Sequence, residues 1–333
     1  MLVLRENDIL TLLGGLSPAD TRDLLAKFHN LLRQYSNSVY QKSSERLIHQ
    51  PERISIVTKN GNTALFMPSS VTTSTGVKVV TVPVKGLIKG SINVFSPDGD
   101  LVGVLNAAEI TAFRTSLAVM IPFELYQGDK KNIIVFGAGR QAEWHIKLAL
   151  LLADVDHITV INRSGPGRIG ELFETLRSNY PKTQFDILLK HDPKYNASLE
   201  ARLKDAAVVF CCTPSVEPHF PASYLDSKQR FISLIGSYKP HMQEIDAKTL
   251  RSGERIYVDT KEGCLVEAGE LIMANVNEAQ LLEIGEIPNG TVLKDSGNVV
   301  FKCVGMGVMD VFMASELLEM AKVKDLGLTV DDF

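Results

Sequence analysis

The chain lacks what binding to a polyanion would require. Its 333 residues carry 35 Lys and Arg against 39 Asp and Glu, a net charge of −4, with no dense basic run. Neither nucleic acid nor an acidic membrane surface has electrostatic support. Cysteine is scarce: Cys211, Cys212, Cys264 and Cys303 make no CxxC pair. That spacing gives no metal site and no disulfide framework, and suits the reduced thiols of a cytoplasmic protein. No segment offers the ~20 consecutive apolar residues of a membrane span. MLVLRENDIL, with its early acidic residues, is not expected to act as a signal peptide. Internal repeats and low-complexity tracts are absent. What is there is a globular balance, 45% hydrophobic and 22% charged, over a length that suits two domains.

The texture changes along the chain. SPADTRDLLAKFHNLLRQ, residues 17–34, reads as a capped helix with a stripe of Leu24, Leu25, Phe28, Leu31 and Leu32. From Ile54 to about Leu105, short β-branched runs separated by KNGN and SPDGD predict an antiparallel sheet, and NAAEITAFRTSLAVMIPFEL then predicts a long helix. From Asn132 onward, strand and helix patterns alternate, which implies a doubly wound parallel sheet of the Rossmann type. GMGVMDVFMASELLEMAKV predicts a last helix, and the chain is expected to return there to its first domain. The expected fold is therefore α/β. A discontinuous α+β domain, 1–115 plus 306–333, is expected beside a Rossmann-type domain spanning 116–305.

IIVFGAGRQAEWHIKLAL holds the strongest local motif. Four apolar residues lead into Gly137-Ala138-Gly139, Ala142 takes the third small position of a GxGxxA pattern, and a helix starts at once. Glycine lets backbone approach a pyrophosphate, and the helix N-terminus favours negative charge. At the end of the next strand, NAD enzymes place a carboxylate for the ribose hydroxyls. Here stand Asn162, Arg163 and Ser164. No carboxylate repels a 2′-phosphate and Arg163 is able to pair with one, so NADP(H) is expected over NAD(H). The bland alternative makes Arg163 a solvated loop residue.

Three cations stand in unusual places. Arg53 begins a strand in QPERISIV, Lys78 interrupts the apolar run GVKVVTV, and Arg114 lies within the helix EITAFRTSLAV. Buried charges need partners. Three cations converging on a cleft would suit a substrate carboxylate and an anionic cofactor. Each also has a plain reading: Arg53 as a surface strand end, Lys78 snorkelling from an edge, Arg114 paired with Glu109 or Glu124.

Over nearly its whole length the sequence resembles the ornithine cyclodeaminase/mu-crystallin family. The likeness is carried by Arg53 in QPERISI, Met67-Pro68, GVKVV, NAAEITAFRTSLA, GAGRQA, SLIGSYKPHMQEID, VDTKEGCLVEAGEL and FKCVGMGVMD. It implies a homodimer acting on a small imino or amino acid, in which the discontinuous domain would serve substrate binding and dimerisation and the Rossmann domain would carry the dinucleotide. Arg53 and Arg114 would hold the substrate carboxylate, with Arg114 also near the cofactor. Lys78 would be the acid/base residue at the reacting nitrogen, its pKa lowered by the flanking arginines. Gly137, Ala138, Gly139, Arg140 and Gln141 would line the pyrophosphate, and Asn162, Arg163 and Ser164 the adenosine phosphate. Thr213 would touch the cofactor, and FKCVGMG would pass the nicotinamide.

One departure matters. The cyclodeaminases of the family carry a catalytic Asp where this chain has Tyr238, a residue expected here to line the substrate pocket. With Asn162-Arg163-Ser164 in place of an acidic strand end, the resemblance favours the mu-crystallin-like reductases, which reduce cyclic ketimines such as piperideine- or pyrroline-2-carboxylate with NADPH. Ornithine cyclodeaminase, an alanine-dehydrogenase-like enzyme and a non-enzymatic NADPH-dependent ligand carrier are the rival readings. His145 is expected to pack or cap, His241 to have a smaller chance of a substrate contact, and Asp310 to complement the dipole of its helix, with a reach toward the substrate amine as its other reading.

Overall fold

The structure, a computed structural model, describes residues 1–38, 41–42, 45–293 and 296–331. In chain order the elements are β1 (Leu2–Leu4), α1 (Glu6–Gly14), α2 (Pro18–Ser38), β2 (Ile54–Val57), β3 (Thr63–Ser70), β4 (Thr75–Val82), β5 (Lys89–Phe95), β6 (Leu101–Asn106) and α3 (Ala107–Leu125). They continue with β7 (Asn132–Phe136), α4 (Arg140–Leu152), β8 (His157–Asn162), α5 (Gly167–Asn179), β9 (Gln184–Leu189), α6 (Tyr195–Asp205), β10 (Val208–Cys211), β11 (Phe231–Leu234) and α7 (Ala247–Leu250). β12 (Ile256–Val258), α8 (Lys261–Glu267), α9 (Gly269–Met273), β13 (Leu281–Glu283), β14 (Val299–Lys302), α10 (Gly307–Lys324) and β15 (Leu328–Thr329) complete the order. Two compact units result: Met1–Arg114 with Gly305–Phe333, and Thr115–Val304.

The first unit is built on a sheet of order β15-β1-β6-β5-β4-β3-β2. Strands β2 to β6 pair antiparallel in sequence order, as the turn-separated β-branched runs imply. Two short strands that no sequence pattern announces extend it: β1 lies parallel to β6, and β15 antiparallel to β1. Alternation along β4 buries Gly76, Lys78 and Val80 on one face. Helix α10 covers that face and lies close to it because two strand positions have no side chain. A Cβ on Gly76 would stand 2.7 Å from Val311, and one on Gly103 would stand 2.5 Å from Leu318. The far side of α10 meets α1, and meets α2 through Phe28 and Phe312, whose rings are 5.5 Å apart. Packing on both sides buries apolar residues around most of the circumference of α10, which is why it shows no amphipathic stripe, and its charged residues, Asp310 apart, gather toward the exposed last turns. The helix expected over 17–34 runs Pro18–Ser38, and at its start the Asp20 N–H donates to Ser17 Oγ while the Ser17 N–H donates to Asp20 Oδ2.

The second unit is an all-parallel sheet of order β13-β12-β14-β11-β10-β7-β8-β9. Ile134, Phe136, Val209, Ile232, Leu234 and Val300 belong to one buried cluster. Each such side chain contributes roughly 1.5–3 kcal/mol by leaving water. The chain builds outward from β7 in one direction through β8 and β9, then returns to start β10 on the other side. The strand order therefore reverses between β7 and β10, and ligands of open parallel sheets bind beyond the carboxyl ends of the strands at such a switch point.

Candidate active site

In the second unit the switch point carries the glycine turn. Gly137 follows β7 at φ +108°, a left-handed conformation that favours glycine, and a Cβ there would lie 2.8 Å from the Thr213 methyl. Gly139 caps the start of α4, and nothing lies within 4 Å of the place its Cβ would take. The turn thus leaves open space at the first amides of a 13-residue helix, the arrangement that accepts a pyrophosphate. Ala138, Arg140 and Gln141 are all partly accessible beside it.

The loop after β8 is also shaped. Asn162 Nδ2 donates to the Gly165 carbonyl at 2.6 Å, so its amide organises the loop and leaves Arg163 and Ser164 exposed. Arg168, in the first turn of α5, sits 3.3 Å from Glu143. No carboxylate occupies the strand end itself. The residues present fit a nicotinamide dinucleotide: a glycine turn at the switch point, an open helix start and an exposed cation beyond the second strand.

Buried carboxylates that sequence reasoning missed hold the neighbouring strand ends. Glu244, fully buried, accepts from the Thr213 N–H at 2.9 Å and the Gly236 N–H at 2.7 Å, tying the loops after β10 and β11 together. His219 stacks on Phe136 at 4.6 Å, and its Nε2 lies 2.6 Å from Thr213 Oγ1. One residue before Tyr238, the Ser237 hydroxyl donates to Glu270 at 2.6 Å, and Lys302 Nζ donates to Ser237 O at 2.5 Å. Burial pushes Lys302 down, but Glu270 and Glu244 carry it above its ordinary value, so it stays charged. Tyr238 is half-buried with the Lys239 ammonium 5.7 Å from its ring centre, whereas His241 is exposed. His145, expected to pack or cap, is fully buried on α4, with Nδ1 2.7 Å from the Gln141 carbonyl and 2.8 Å from Ser116 Oγ.

The first unit brings two of the three unusual cations onto one carboxylate. Lys78 Nζ lies 2.6 Å from Asp310 Oδ2, and Arg114 Nε donates to Asp310 Oδ1 at 2.9 Å. Lys78 is 2% exposed, Arg114 4% and Asp310 0%, so this is a buried charge cluster and not a surface ion pair. The Arg114 guanidinium lies against Gly305, where a Cβ would stand 2.5 Å from Nη1. Gly305 has φ +87°, so backbone conformation and space both require glycine there.

Burial is the main cause that brings the Lys78 ammonium down to about 8; Arg114 and Arg53 push the same way, and Asp310 opposes them. Arg53, partly accessible ahead of β2, therefore stands near enough to influence Lys78. The expected direction of this shift holds, but its cause is desolvation more than the arginines. A lysine that titrates near neutrality is suited to proton transfer.

A family profile described as ornithine cyclodeaminase/mu-crystallin covers residues 21–325. The chain belongs to the ornithine cyclodeaminase/mu-crystallin family. Among its relatives, a Δ1-pyrroline-2-carboxylate reductase of Bacillus cereus is 26% identical over 333 aligned residues, covering 94% of this chain and 98% of that protein. The Δ1-pyrroline-2-carboxylate reductase of Thermococcus litoralis, solved with NADH and L-proline, superposes with a TM-score of 0.82 at 22% identity, over 99% of this chain and 100% of that one. An archaeal alanine dehydrogenase dimer with bound NAD gives 0.80 at 19% identity, over 100% and 99%. At such identities the two structures establish the shared α/β fold of this family.

Proposed function

We propose that the chain reduces a small cyclic ketimine carboxylate, of the pyrroline- or piperideine-2-carboxylate type, to the cyclic amino acid. The observation that carries this reading is the buried Lys78–Asp310–Arg114 cluster: it supplies a lysine held near its titration point beside a guanidinium suited to a carboxylate. Arg53 and Arg114 orient the substrate through its carboxylate, and a planar guanidinium fixes direction as well as position. Lys78 gives its proton to the ring nitrogen, which leaves the adjacent carbon electron-poor. The nicotinamide coenzyme, when bound, supplies the hydride for that carbon. One proton and one hydride convert C=N to CH–NH, so no further reactant is required.

In the second unit, Gly137, Ala138, Gly139, Arg140 and Gln141 would receive the pyrophosphate, with Thr213 beside them. Arg163 and Ser164, exposed at the end of a strand without a carboxylate, favour NADPH over NADH. The solved relatives carry NADH or NAD; the preference for NADPH rests on this chain's own residues. Tyr238 stands where the cyclodeaminases of the family have their Asp, so it lines the pocket without supplying that carboxylate. The working unit is a homodimer: Ile54, Ile56 and Val57 of β2 are 58%, 49% and 68% exposed, an apolar edge that a second copy would cover. Among the described residues no helix is long and apolar enough to cross a membrane, and none of the four cysteines forms a disulfide. These features suit the cytoplasm.

NADPH and NADH oxidation with both cyclic ketimines and with pyruvate plus ammonia, together with proline formation from ornithine in the presence of NAD, checks the reading. The expected result is turnover of a cyclic ketimine with NADPH. Faster oxidation of NADH by pyruvate and ammonia would indicate an amino-acid dehydrogenase, and proline formed from ornithine a cyclodeaminase. Tight NADPH binding without oxidation by any substrate would indicate a carrier.

A further inference from the structure

We infer that Asp310 is a positioning residue for this chemistry: its carboxylate fixes Lys78 and Arg114 relative to one another and gives Lys78 its counter-charge. The inference rests on the proposed imine reduction, and the test below separates the two.

Asp310 has a sufficient plain role, since it stands in the first turn of α10 and complements the helix dipole. That role does not explain its burial. A carboxylate at a helix start does its work from the surface, whereas Asp310 is 0% exposed. Its two oxygens are divided between two cations on different elements, Oδ2 to Lys78 on β4 and Oδ1 to Arg114 on α3. Each cation constrains the carboxylate, and the carboxylate constrains both.

The scaffold makes this arrangement stiff. Lys78 is opposite Met67 on β3 and Ile92 on β5, in the interior of the sheet. The start of α10 is seated on the same place, since a Cβ on Gly307 would stand 2.9 Å from the Met67 carbonyl oxygen. The Val308 N–H donates to Gln50 Oε1 at 2.8 Å, which pins the helix start a second time.

The sign of the electrostatic effect follows from the charges around Lys78. Burial favours its neutral form, Arg114 on α3 and Arg53 ahead of β2 favour it too, and Asp310 on α10 opposes them by favouring the charged form. Met67 and Ile92 bring no charge from the flanking strands. Reduction of the imine consumes the Lys78 proton, so its rate falls as pH rises through the Lys78 titration. The reverse oxidation needs the neutral amine, so its rate rises over the same interval. Removing the Asp310 charge moves both limbs to lower pH, whereas a purely structural lesion scales both directions without moving either.

The test uses the full-length protein with Asp310→Asn, assayed from pH 6 to 10 in both directions, with Δ1-pyrroline-2-carboxylate and NADPH and with L-proline and NADP. Both limbs are expected to move down by about one pH unit or more, with a rise in KM for the imino acid as Arg114 loosens. Unmoved limbs in a folded variant would overturn the inference. Asp310→Glu keeps the charge and displaces it by one methylene. It is expected to leave the limbs within a few tenths of a unit and to raise KM several-fold, and wild-type KM there would equally overturn the positioning role. Direct titration of Lys78 by NMR of 13C-labelled lysine, assigned with Lys78→Met, needs no turnover. If wild type reduces no imine, the functional reading fails by itself; an Asn variant whose Lys78 midpoint is unmoved overturns the role of Asp310.

Discussion

The two units differ in what their candidate sites present. The second presents backbone: a left-handed glycine, an open helix start and a shaped loop, with buried carboxylates such as Glu244 holding strand ends from behind. The first presents side-chain charge, gathered on one buried carboxylate from β4, α3 and α10. They also treat buried titratable groups differently. Lys78 is kept chargeable by a counter-ion, whereas burial brings His145 on α4 down to about 4 and keeps it neutral. Backbone sites recognise a shape common to many dinucleotides, and charged clusters confer chemistry on one substrate.

The comparison breaks most sharply at Lys78. Lys78→Met should lower kcat/KM by roughly 10²–10⁴, the usual share of a general acid, while NADPH binding measured by fluorescence stays within two-fold, on the order of no effect. Loss of coenzyme binding in that variant would show that the two sets of residues do not act separately. The next effect belongs to the second unit. His145 has a folded pKa below its ordinary 6.5, so its contribution is fully present above that value and is lost as pH falls through 6.5 toward 4. The loss amounts to about 3 kcal/mol at the acid end. Thermal unfolding of His145→Gln should show a flatter decline of Tm over that window than wild type; an identical decline would remove His145 from the account.

Smaller effects sharpen the contrast. Arg163→Asp removes one charge-assisted contact to a 2′-phosphate, worth about 1.5–3 kcal/mol, and should reverse the NADPH/NADH selectivity. Unchanged selectivity would return Arg163 to an ordinary loop residue. Gly305→Ala places a side chain at φ +87° against the Arg114 guanidinium. It should cost about 1–2 kcal/mol of stability and raise KM for the imino acid more than it lowers kcat. A proportionate fall in both constants would argue against Arg114 as the carboxylate ligand.

Legibility in the sequence follows the same division. The glycine turn could be read because strand, turn and helix are contiguous, and Asn162-Arg163-Ser164 because it lies at the end of the very next strand. The five antiparallel strands and the parallel sheet followed from their turns and periodicity. The oddness of Lys78 and Arg114 was visible as charge among apolar neighbours, but their common partner was not. Asp310 is 196 positions from Arg114, and an acidic residue early in a helix already has a reason to be there. Glu244 and the Ser237–Glu270–Lys302 contacts were hidden because they join segments that lie apart in the sequence. β1 and β15 are too short to carry a pattern and are defined only by their pairing.

The central claim is that hydride reaches the imine carbon of a ketimine carboxylate. It is tested most directly by running the reaction with Δ1-pyrroline-2-carboxylate and NADPH carrying deuterium at both C4 positions of the nicotinamide, then locating the label by NMR. The account predicts one deuterium at Cα of the proline formed for each labelled coenzyme consumed. Coenzyme consumed with no deuterium at Cα, or bound and never consumed, would contradict it.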